Sequence, residues 1–253
     1  MINERTTLRI AAVADIHVKK TSHGAFQNLF TSAAEAADVM LLCGDLTDYG
    51  SIDEAKVLAK EITSSLRIPA IGVLGNHDYE SDAEAEIVRI LTDAGVTMLD
   101  GDTYELHGVG FAGVKGFGGG FGRRALGAWG EKMIKAFVHE AIEESLKLEA
   151  ALARLRTPQK IGVLHYSPIQ ATVEGEPLEI VAFLGSSRLE EPLDRYRVTA
   201  VFHGHAHRGA PEGRTKANAP VYNVAMPVLA THFPDRPPFR VIEVPIGEPA
   251  FAG

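Results

Sequence analysis

Short apolar runs alternate along most of the chain with longer segments in which apolar residues recur every three or four positions. The runs are rich in aliphatic residues and too short for core helices, so they predict buried strands. These strands are expected at residues 8–14, 39–43, 70–74, 161–164 and 198–202. The periodic segments predict helices at residues 24–37, 52–66 and 82–94. Strands that alternate with helices indicate an α/β protein with a mainly parallel sheet and right-handed crossovers.

The later part of the chain has a different pattern. Residues 221–225 and 239–246 look like strands with short connections, which is typical of a second, more antiparallel sheet. The longest helical pattern covers residues 131–155. It has an apolar stripe on one face and many charged residues on the other, so it predicts a packing helix without a chemical role. The stripe comprises Met133, Phe137, Ala141, Leu148, Leu152 and Leu155. Because no repeat or long linker interrupts the sequence, residues 1–253 are expected to form one domain.

Composition and charge narrow the class of protein. With 45% hydrophobic and 23% charged residues, the chain resembles an ordinary globular protein, and a formal net charge of −8 disfavours a surface for duplex nucleic acid. No apolar run approaches the ~20 residues that span a bilayer, and residues 1–5 lack a signal-peptide pattern. We therefore expect a cytoplasmic protein without membrane contact. The single cysteine, Cys43, excludes an internal disulfide and a thiolate metal cluster.

Each of the five predicted strands ends in polar residues that can bind a metal ion. Because ligands of open α/β sheets bind at the carboxyl ends of the strands, we expect these clusters to meet at one sheet edge. Buried Asp, Asn and His side chains are costly without partners, so five such clusters favour a metal site over core packing. The residues are Asp15, His17, Asp45, Asp48, Asn76, His77, Asp78, His165, His203, His205 and His207.

The clusters resemble the sequence blocks of the calcineurin-like metallophosphoesterase superfamily. Those blocks run Asp-x-His, Gly-Asp-x-x-Asp, Gly-Asn-His-Asp/Glu, a lone His, and Gly-His-x-His, and all five occur here in order between about residues 8 and 210. The resemblance implies a four-layer α/β/β/α sandwich with two mixed central sheets and two metal ions at the sheet edge. It places Asp15, His17, Asp45 and His207 on one ion. Asp45 would bridge to the second ion, which also takes Asn76, His165 and His205.

This set of ligands has consequences for the cofactor and the substrate. Imidazole, carboxylate and amide ligands without thiolate suit Mn, Fe or Zn. Only Asp15 and Asp45 bring negative charge, so two divalent ions would leave the site net positive and attractive to phosphate despite the acidic surface. Two ions ~3.5–4 Å apart can lower the pKa of a shared water, which predicts phosphoester hydrolysis through a metal-bound hydroxide.

His77 matches the acid histidine of the family and is expected to protonate or stabilise the leaving group. Asp48 or Asp78 could orient its imidazole, and we prefer Asp48. Asp78 could equally cap a helix or turn, since a predicted helix follows shortly after it. His203 is expected to make a supporting hydrogen bond and not to coordinate a metal.

Three further residues are candidates for substrate binding. Arg123 and Arg124 end the glycine-rich stretch 116–124, which is expected to be either a mobile loop over the metals or a flexible surface loop. The stretch lacks the Gly-Lys-Ser/Thr ending of a P-loop. His23 could line the pocket, although an ordinary loop histidine is the favoured interpretation.

Tyr49 bears on the type of ester. Protein phosphatases of the superfamily carry an Arg at this position, and a missing cation should weaken binding of a monoester dianion more than of a diester monoanion. The sequence therefore favours the bacterial phosphodiesterase branch, with a nucleotide-type or small diester as substrate. A phosphomonoesterase is the nearest alternative, and a non-catalytic metal-binding scaffold is an alternative from another class. A homodimer is possible, but no segment indicates an interface.

Overall fold

The computed structural model describes residues 6–246, in which eleven strands and six α-helices are arranged around two β-sheets. The N-terminal residues 1–5, which bear on the signal-peptide expectation, lie outside the described residues. The strands are Thr7–Val13 (β1), Val39–Cys43 (β2), Ala70–Val73 (β3), Val96–Met98 (β4), Asp102–Leu106 (β5), Val109–Gly113 (β6), Gln159–Val163 (β7), Ala200–His203 (β8), Glu212–Arg214 (β9), Pro220–Asn223 (β10) and Arg240–Pro245 (β11). The helices are Gln27–Ala36 (α1), Ile52–Ser65 (α2), Glu84–Asp93 (α3), Lys132–Arg154 (α4), Glu190–Arg195 (α5) and Met226–His232 (α6).

Both sheets are mixed. The first has the order β11-β1-β2-β3-β4, in which β1 to β4 are parallel and β11 pairs antiparallel with β1. The second has the order β5-β6-β7-β8-β10-β9, in which β6, β7, β8 and β10 are parallel and the edge strands β5 and β9 are antiparallel to their neighbours. Parallel strands put their carboxyl ends at the same edge, so each sheet presents one edge to which loops with polar side chains can converge.

Three apolar layers hold the sheets and helices together. Alternate residues of β1 point to opposite faces, so Leu8 and Ile10 lie between the two sheets while Val13 packs against α1 to α3. On the far side of the second sheet, Leu148 and Leu152 of α4 pack among the buried residues of that face. The order of layers is therefore helices, sheet, sheet and helices, which confirms the expected four-layer α/β/β/α sandwich.

The assignment of strands to sheets differs from the expectation. Residues 161–164 and 198–202 were expected in one sheet with the earlier strands, but β7 and β8 belong to the second sheet. Residues 239–246 were expected in a second, more antiparallel sheet, but β11 joins the first sheet, and β10 is parallel to β8. The reason is physical: an apolar run indicates burial of both faces of a strand but does not specify which strand lies beside it.

The helix boundaries follow local chemistry. The helix α2 begins with a capping box, in which the Ser51 side chain accepts from the Glu54 amide and Glu54 accepts from the Ser51 amide. The long helix α4 buries Ala141, Leu148 and Leu152 as predicted, but Met133 is 77% exposed because the first turns of α4 extend beyond the core. Within residues 6–246, no helix is long and apolar enough to cross a membrane.

Candidate metal centre

The loops after β1, β2, β3, β7 and β8 bring the predicted metal ligands together at facing edges of the two sheets. Three groups of side chains could each hold a metal ion, since within each group the potential ligand atoms lie within 4.8 Å of one another. Because His17 and Asp45 each belong to two of the groups, the three groups form one continuous cluster. The groups are Asp15, His17 and His207; His17, Asp45 and His77; and Asp45, His165 and His205.

Asp15 organises the loop that carries two of the histidines. Its buried carboxylate lies 3.0 Å from Nε2 of His207 and accepts a hydrogen bond from the backbone N–H of His205. The hydrogen bond that Asp15 accepts from the His207 ring raises the pKa of His207, because the carboxylate stabilises the imidazolium. Burial, in contrast, lowers the pKa of His205 to about 3, so this imidazole is neutral and has a lone pair available for a metal.

His165 is fully buried between Asp45 and the end of β2. Its Nδ1 lies 3.0 Å from the carbonyl oxygen of Cys43, while Nε2 faces Oδ1 of Asn76 at 3.0 Å and Oδ1 of Asp45 at 3.3 Å. A carbonyl can only accept, so Nδ1 carries a proton whether the ring is neutral or charged, and Nε2 is the nitrogen directed at the other ligands. Burial alone would lower the pKa of His165, but Asp45 raises it to about 9; the same pair holds the pKa of Asp45 well below its usual range against the effect of burial.

The surroundings of the His17 ring fit a bound metal ion. Both ring nitrogens are buried and have no hydrogen-bond partner among residues 6–246. Asp48 Oδ1 lies 3.6 Å from Nδ1 and Asp45 Oδ2 lies 3.9 Å from Nε2, both beyond hydrogen-bond length. Burial lowers the pKa of His17, so protonation does not relieve the problem. A buried polar group without a partner costs about 1–3 kcal/mol, and a metal ion is a partner that fits an imidazole surrounded by carboxylates.

The backbone of the cluster is also unusual. Asp15, His17, Asp45 and His205 have positive φ angles of 57°, 43°, 50° and 70°. Such conformations cost of the order of 1–3 kcal/mol each for residues other than glycine, and they concentrate at functional sites. Gly44, with φ of 84°, leaves room for the His165 ring, since a Cβ there would lie 2.5 Å from Nδ1. These loops are shaped to place side chains and not to minimise backbone strain.

His77 lies at the edge of the cluster and is half-buried. Its backbone N–H donates to Asp45 at 2.8 Å, and its ring packs edge-on against His17 with 4.6 Å between centroids. Nδ1 of His77 donates to the backbone carbonyl of Asp48 at 2.7 Å. We expected the Asp48 carboxylate to orient this ring; that carboxylate instead faces His17 and Lys19, because the turn after β2 presents its carbonyl to His77. A carboxylate oxygen of Glu80 lies 3.5 Å from Nδ1 of His77.

Asp78 has a structural role that the sequence left open. Its fully buried carboxylate accepts hydrogen bonds from the amides of Leu46, Thr47 and Gly75 and from the Thr47 hydroxyl, at 2.6 to 3.2 Å. These bonds join the loop that carries Asp45 to the loop that carries Asn76. These partners precede Asp78 in the chain, so its carboxylate connects two loops and does not cap the helix that follows.

His203 supports the cluster from behind. It is fully buried, with Nδ1 2.8 Å from the Gly204 carbonyl and Nε2 2.8 Å from the Thr172 hydroxyl. Burial lowers its pKa to about 4. These hydrogen bonds are those of a supporting residue; that His203 does not coordinate a metal stays a prediction.

The three candidates for substrate binding lie outside the cluster. His23 lines a surface pocket with Lys20, Lys56 and Lys60 that includes no predicted metal ligand. Arg123 and Arg124 are exposed in a short 3₁₀ turn, and neither has a hydrogen bond or ion pair with other residues in the range 6–246.

The glycine-rich stretch 116–124 is neither of the two loops that the sequence predicted. Residues 118–120 are buried, and the amides of Gly119 and Gly120 donate to the carbonyls of Ala182 and Gly185 at 2.7 and 2.9 Å. The Gly116 amide donates to the buried carboxylate of Glu144 at 2.7 Å. The stretch is thus fixed against residues 182–187, and that segment contacts the cluster, since the Phe183 carbonyl lies 3.2 Å from Nε2 of His205.

Lys115, Tyr79 and Tyr166 lie beside the cluster and were not predicted. The Lys115 ammonium group lies over the rings of Phe117, Tyr79 and Tyr166, at 4.9 to 5.4 Å from their centroids. Burial lowers the pKa of Lys115. The available signal was positional: Lys115 follows β6 as the metal ligands follow their strands, but the two glycines of β6 weaken its apolar pattern, so that strand was not predicted.

An α/β/β/α sandwich with Asp, Asn and His side chains gathered at facing sheet edges defines a metal-binding hydrolase of the metallophosphoesterase type. The sequence model of the calcineurin-like phosphoesterase family matches residues 8–209, and this chain belongs to that family. The resemblance of the five sequence blocks is thereby confirmed. A search of curated proteins found no match.

Solved structures with similar folds share little sequence with the chain. A phosphopantetheinyl hydrolase from Mycobacterium tuberculosis is 14% identical, with a TM-score of 0.66 over 96% of this chain and 98% of that one. The protein TT1561 of Thermus thermophilus is 15% identical, with a TM-score of 0.54 over 87% and 90% of the two chains. A 5′-nucleotidase, described as putative, from Staphylococcus aureus is 15% identical, with a TM-score of 0.50 over 86% of this chain and 48% of that one. At these identities the likeness shows a shared fold alone.

Proposed function

We propose that this metal-dependent phosphoester hydrolase is a phosphodiesterase with a dinuclear centre, acting on nucleotide-type or small diesters. The proposal of two metal ions rests on one observation: the ligand groups share residues. Asp45 lies within reach of both His17 and His165, which belong to separate groups on either side of it. A single carboxylate between two sets of ligands is the arrangement that bridges two ions.

The chain offers a complete set of ligands for this centre. Asp15, His17 and His207 would hold one ion, and Asn76, His165 and His205 the other, with Asp45 between them. The unpartnered nitrogens of His17 and the donation from Nδ1 of His165 to a carbonyl both support coordination through these rings. When bound, the two ions would supply an activated water and positive charge for the phosphoryl oxygens.

His77 is the residue that we assign to the leaving group. Its position is fixed by the backbone bond to Asp45 and by donation from Nδ1 to the Asp48 carbonyl, so its Nε2 edge can transfer a proton to the departing oxygen. Asp48 acts in this proposal through its carbonyl, which orients the ring.

The preference for a diester rests on the charge around Tyr49. The Tyr49 side chain is 62% exposed and its backbone is fixed by Glu54 and Ser81, so this position presents a phenol to solvent where a protein phosphatase would present a guanidinium. A monoester dianion needs more fixed positive charge than a diester monoanion. Several features stay predictions from the sequence. They are the choice of Mn, Fe or Zn, a cytoplasmic location, a homodimer, and substrate contacts from His23, Arg123 and Arg124.

The test compares hydrolysis of bis(p-nitrophenyl) phosphate and p-nitrophenyl phosphate by metal-stripped protein before and after Mn²⁺, Fe²⁺ or Zn²⁺ is restored. We expect metal-dependent turnover with a higher kcat/KM for the diester. His77→Ala should keep its metal and lose about 10²- to 10⁴-fold in kcat, the usual contribution of a general acid. His139→Ala, which removes an exposed histidine on α4, is the matched control and should have the metal content and kcat of the parent protein.

The outcomes separate the alternatives. A higher kcat/KM for the monoester would refute the diester preference and favour a phosphomonoesterase. Bound metal without turnover of either ester, and no difference between the parent protein and His77→Ala, would favour the non-catalytic scaffold.

A further inference from the structure

Lys115 is attached to the loop that carries His165. It follows β6, which pairs with β7, and its carbonyl accepts hydrogen bonds from the amides of His165 and Tyr166, both at 3.0 Å. The backbone at this position is therefore held in register with a predicted metal ligand. The side chain extends from that fixed point toward the rings of Tyr79 and Tyr166.

The ammonium group of Lys115 forms no ion pair with the described residues, and Glu144, Glu140 and Asp100 attract it only from a longer distance. Its one hydrogen bond within residues 6–246 goes to the Gly116 carbonyl at 2.9 Å, and no described carboxylate oxygen lies within the 4.0 Å of an ion pair. The neighbouring Glu144 is already engaged, since it accepts from the Gly116 amide at 2.7 Å and from Lys147 at 2.8 Å. An ammonium group has three N–H donors, so two are left for a ligand.

Aromatic rings compensate part of the cost of this half-buried charge. The rings of Phe117, Tyr79 and Tyr166 surround the ammonium group at 4.9 to 5.4 Å, and the negative face of an aromatic ring attracts a cation. The hydroxyl groups of Tyr79 and Tyr166 also have no hydrogen-bond partner within residues 6–246. Two N–H donors of Lys115 and the hydroxyl groups of Tyr79 and Tyr166 are thus left without partners among the described residues, and the three rings hold the ammonium group between them. Such donors are suited to the oxygens of an anion.

This group of donors lies one ring away from the metal centre. The Tyr166 ring is 4.3 Å from the His205 ring and 5.5 Å from the His165 ring, measured between centroids. Tyr79 belongs to the same 3₁₀ turn, His77–Tyr79, as the histidine that we assign to the leaving group. A substrate held by its phosphodiester at the centre could therefore reach Lys115 with another part of its structure.

We infer that Lys115, Tyr79 and Tyr166 form a second anion-binding position, which selects diesters that carry a further phosphate or carboxylate beyond the ester being hydrolysed. This inference rests on the proposed function for its catalytic consequence, but the binding position itself can be tested without turnover. It assigns Lys115 to the recognition of the substrate and not to the scissile phosphate.

The kinetic test uses two diesters that differ by one phosphate: thymidine 5′-(p-nitrophenyl phosphate) and the same compound with a 3′-phosphate. The metal-loaded parent protein should prefer the 3′-phosphorylated compound by on the order of tenfold or more in kcat/KM, mainly through KM, as a charge-assisted hydrogen bond allows. Lys115→Met should bring the ratio of the two kcat/KM values close to one, and Lys115→Arg should retain much of it. Lys132→Met, which removes an exposed lysine at the start of α4, should leave the ratio unchanged.

Binding measurements separate failure of this inference from failure of the proposed function. By calorimetry, the metal-loaded protein should bind thymidine 3′,5′-bisphosphate on the order of tenfold more tightly than thymidine 5′-phosphate, and Lys115→Met should abolish the difference. If neither diester is hydrolysed but this difference is found, the proposed function fails and the anion position stands. An unchanged preference in Lys115→Met, or an equal loss for both diesters and both nucleotides, would overturn the inference. A melting temperature for Lys115→Met equal to that of Lys115→Arg excludes misfolding as the cause.

Discussion

Replacement of Asp78 by Asn should destabilise the protein although it changes only one atom type. Oδ1 of Asp78 accepts from the Thr47 amide and hydroxyl, and Oδ2 accepts from the amides of Leu46 and Gly75. With its NH₂ toward Leu46 and Gly75, Asn would leave both amides without an acceptor. In the other orientation the Thr47 amide would lose its acceptor, while the Thr47 hydroxyl could turn and accept from the NH₂. At least one buried donor would therefore be left unsatisfied, at about 1–3 kcal/mol.

The net effect is smaller than the sum of the lost bonds, because the carboxylate also carries a cost. Burial raises the pKa of Asp78, which shows that the ionised form is poorly solvated at this position, and Asn removes that charge. We therefore expect a net loss of about 2 kcal/mol in the free energy of unfolding. For a protein of this size, that loss corresponds to a fall of about 4–8 °C in the melting temperature.

The assay is thermal and urea denaturation of the metal-stripped protein, followed by circular dichroism. Asp82→Asn is the matched control, since Asp82 is an exposed residue in the same loop with φ of 50°, a conformation that Asn tolerates. A melting temperature for Asp78→Asn within about 2 °C of the control would refute the structural role derived from these four bonds. Lost turnover at unchanged stability would instead support the alternative in which Asp78 orients His77.

Three further predictions concern the residues around the centre. His17→Ala should lower metal affinity by at least about tenfold. It should not destabilise the metal-free protein, because no hydrogen bond of His17 is lost and the cost of its two unpartnered nitrogens is removed. Isothermal titration and urea denaturation would show this, and a large loss of metal-free stability would contradict it. Gly75→Ala should also weaken metal binding, since the added Cβ would collide with the backbone nitrogen and carboxylate of Asp45, and an unchanged metal content by mass spectrometry would contradict that. His203 has a folded pKa of about 4 against an ordinary value of 6.5, so the unfolded chain binds the proton first and stability should fall as the pH drops from 6.5 to 4. The loss should total about 3 kcal/mol at about 1.4 kcal/mol per pKa unit. In His203→Gln, the urea midpoint of unfolding should depend less on pH between 4 and 6.5 than in the parent protein. The same pH dependence in both proteins would argue against a buried neutral histidine.

The sequence was most informative where residues that can bind a metal directly follow a predicted strand. A polar cluster directly after an apolar run, as at Asp15 or His165, predicts both the strand and the place where the side chain emerges. The periodic segments predicted α1 to α4 to within a few residues, because an amphipathic stripe is a local property of the chain. The short helices α5 and α6 were not predicted. The residues gathered in the three ligand groups were all among those singled out from such clusters.

The remaining features depend on tertiary contacts that no local pattern records. The partner of β11 is β1, more than two hundred residues earlier in the chain, and an apolar run cannot specify that pairing. The His77 ring meets the carbonyl of Asp48 and not its carboxylate, and every residue type has a carbonyl. Residues 116–124 resemble a flexible loop in composition, but backbone hydrogen bonds to residues 182–187 fix them. Lys115 was missed because its importance comes from the three rings that surround it.

The most direct test of the account is a titration of metal-free protein with Mn²⁺, in which bound metal and hydrolysis of bis(p-nitrophenyl) phosphate are measured on the same samples. The sharing of Asp45 between two ligand groups predicts that the protein binds two ions per chain and that turnover appears as the second ion binds. Asp45→Asn should bind fewer ions and lose turnover, with Asp82→Asn as the control. Full turnover with one ion per chain, or turnover without metal, would contradict the dinuclear centre.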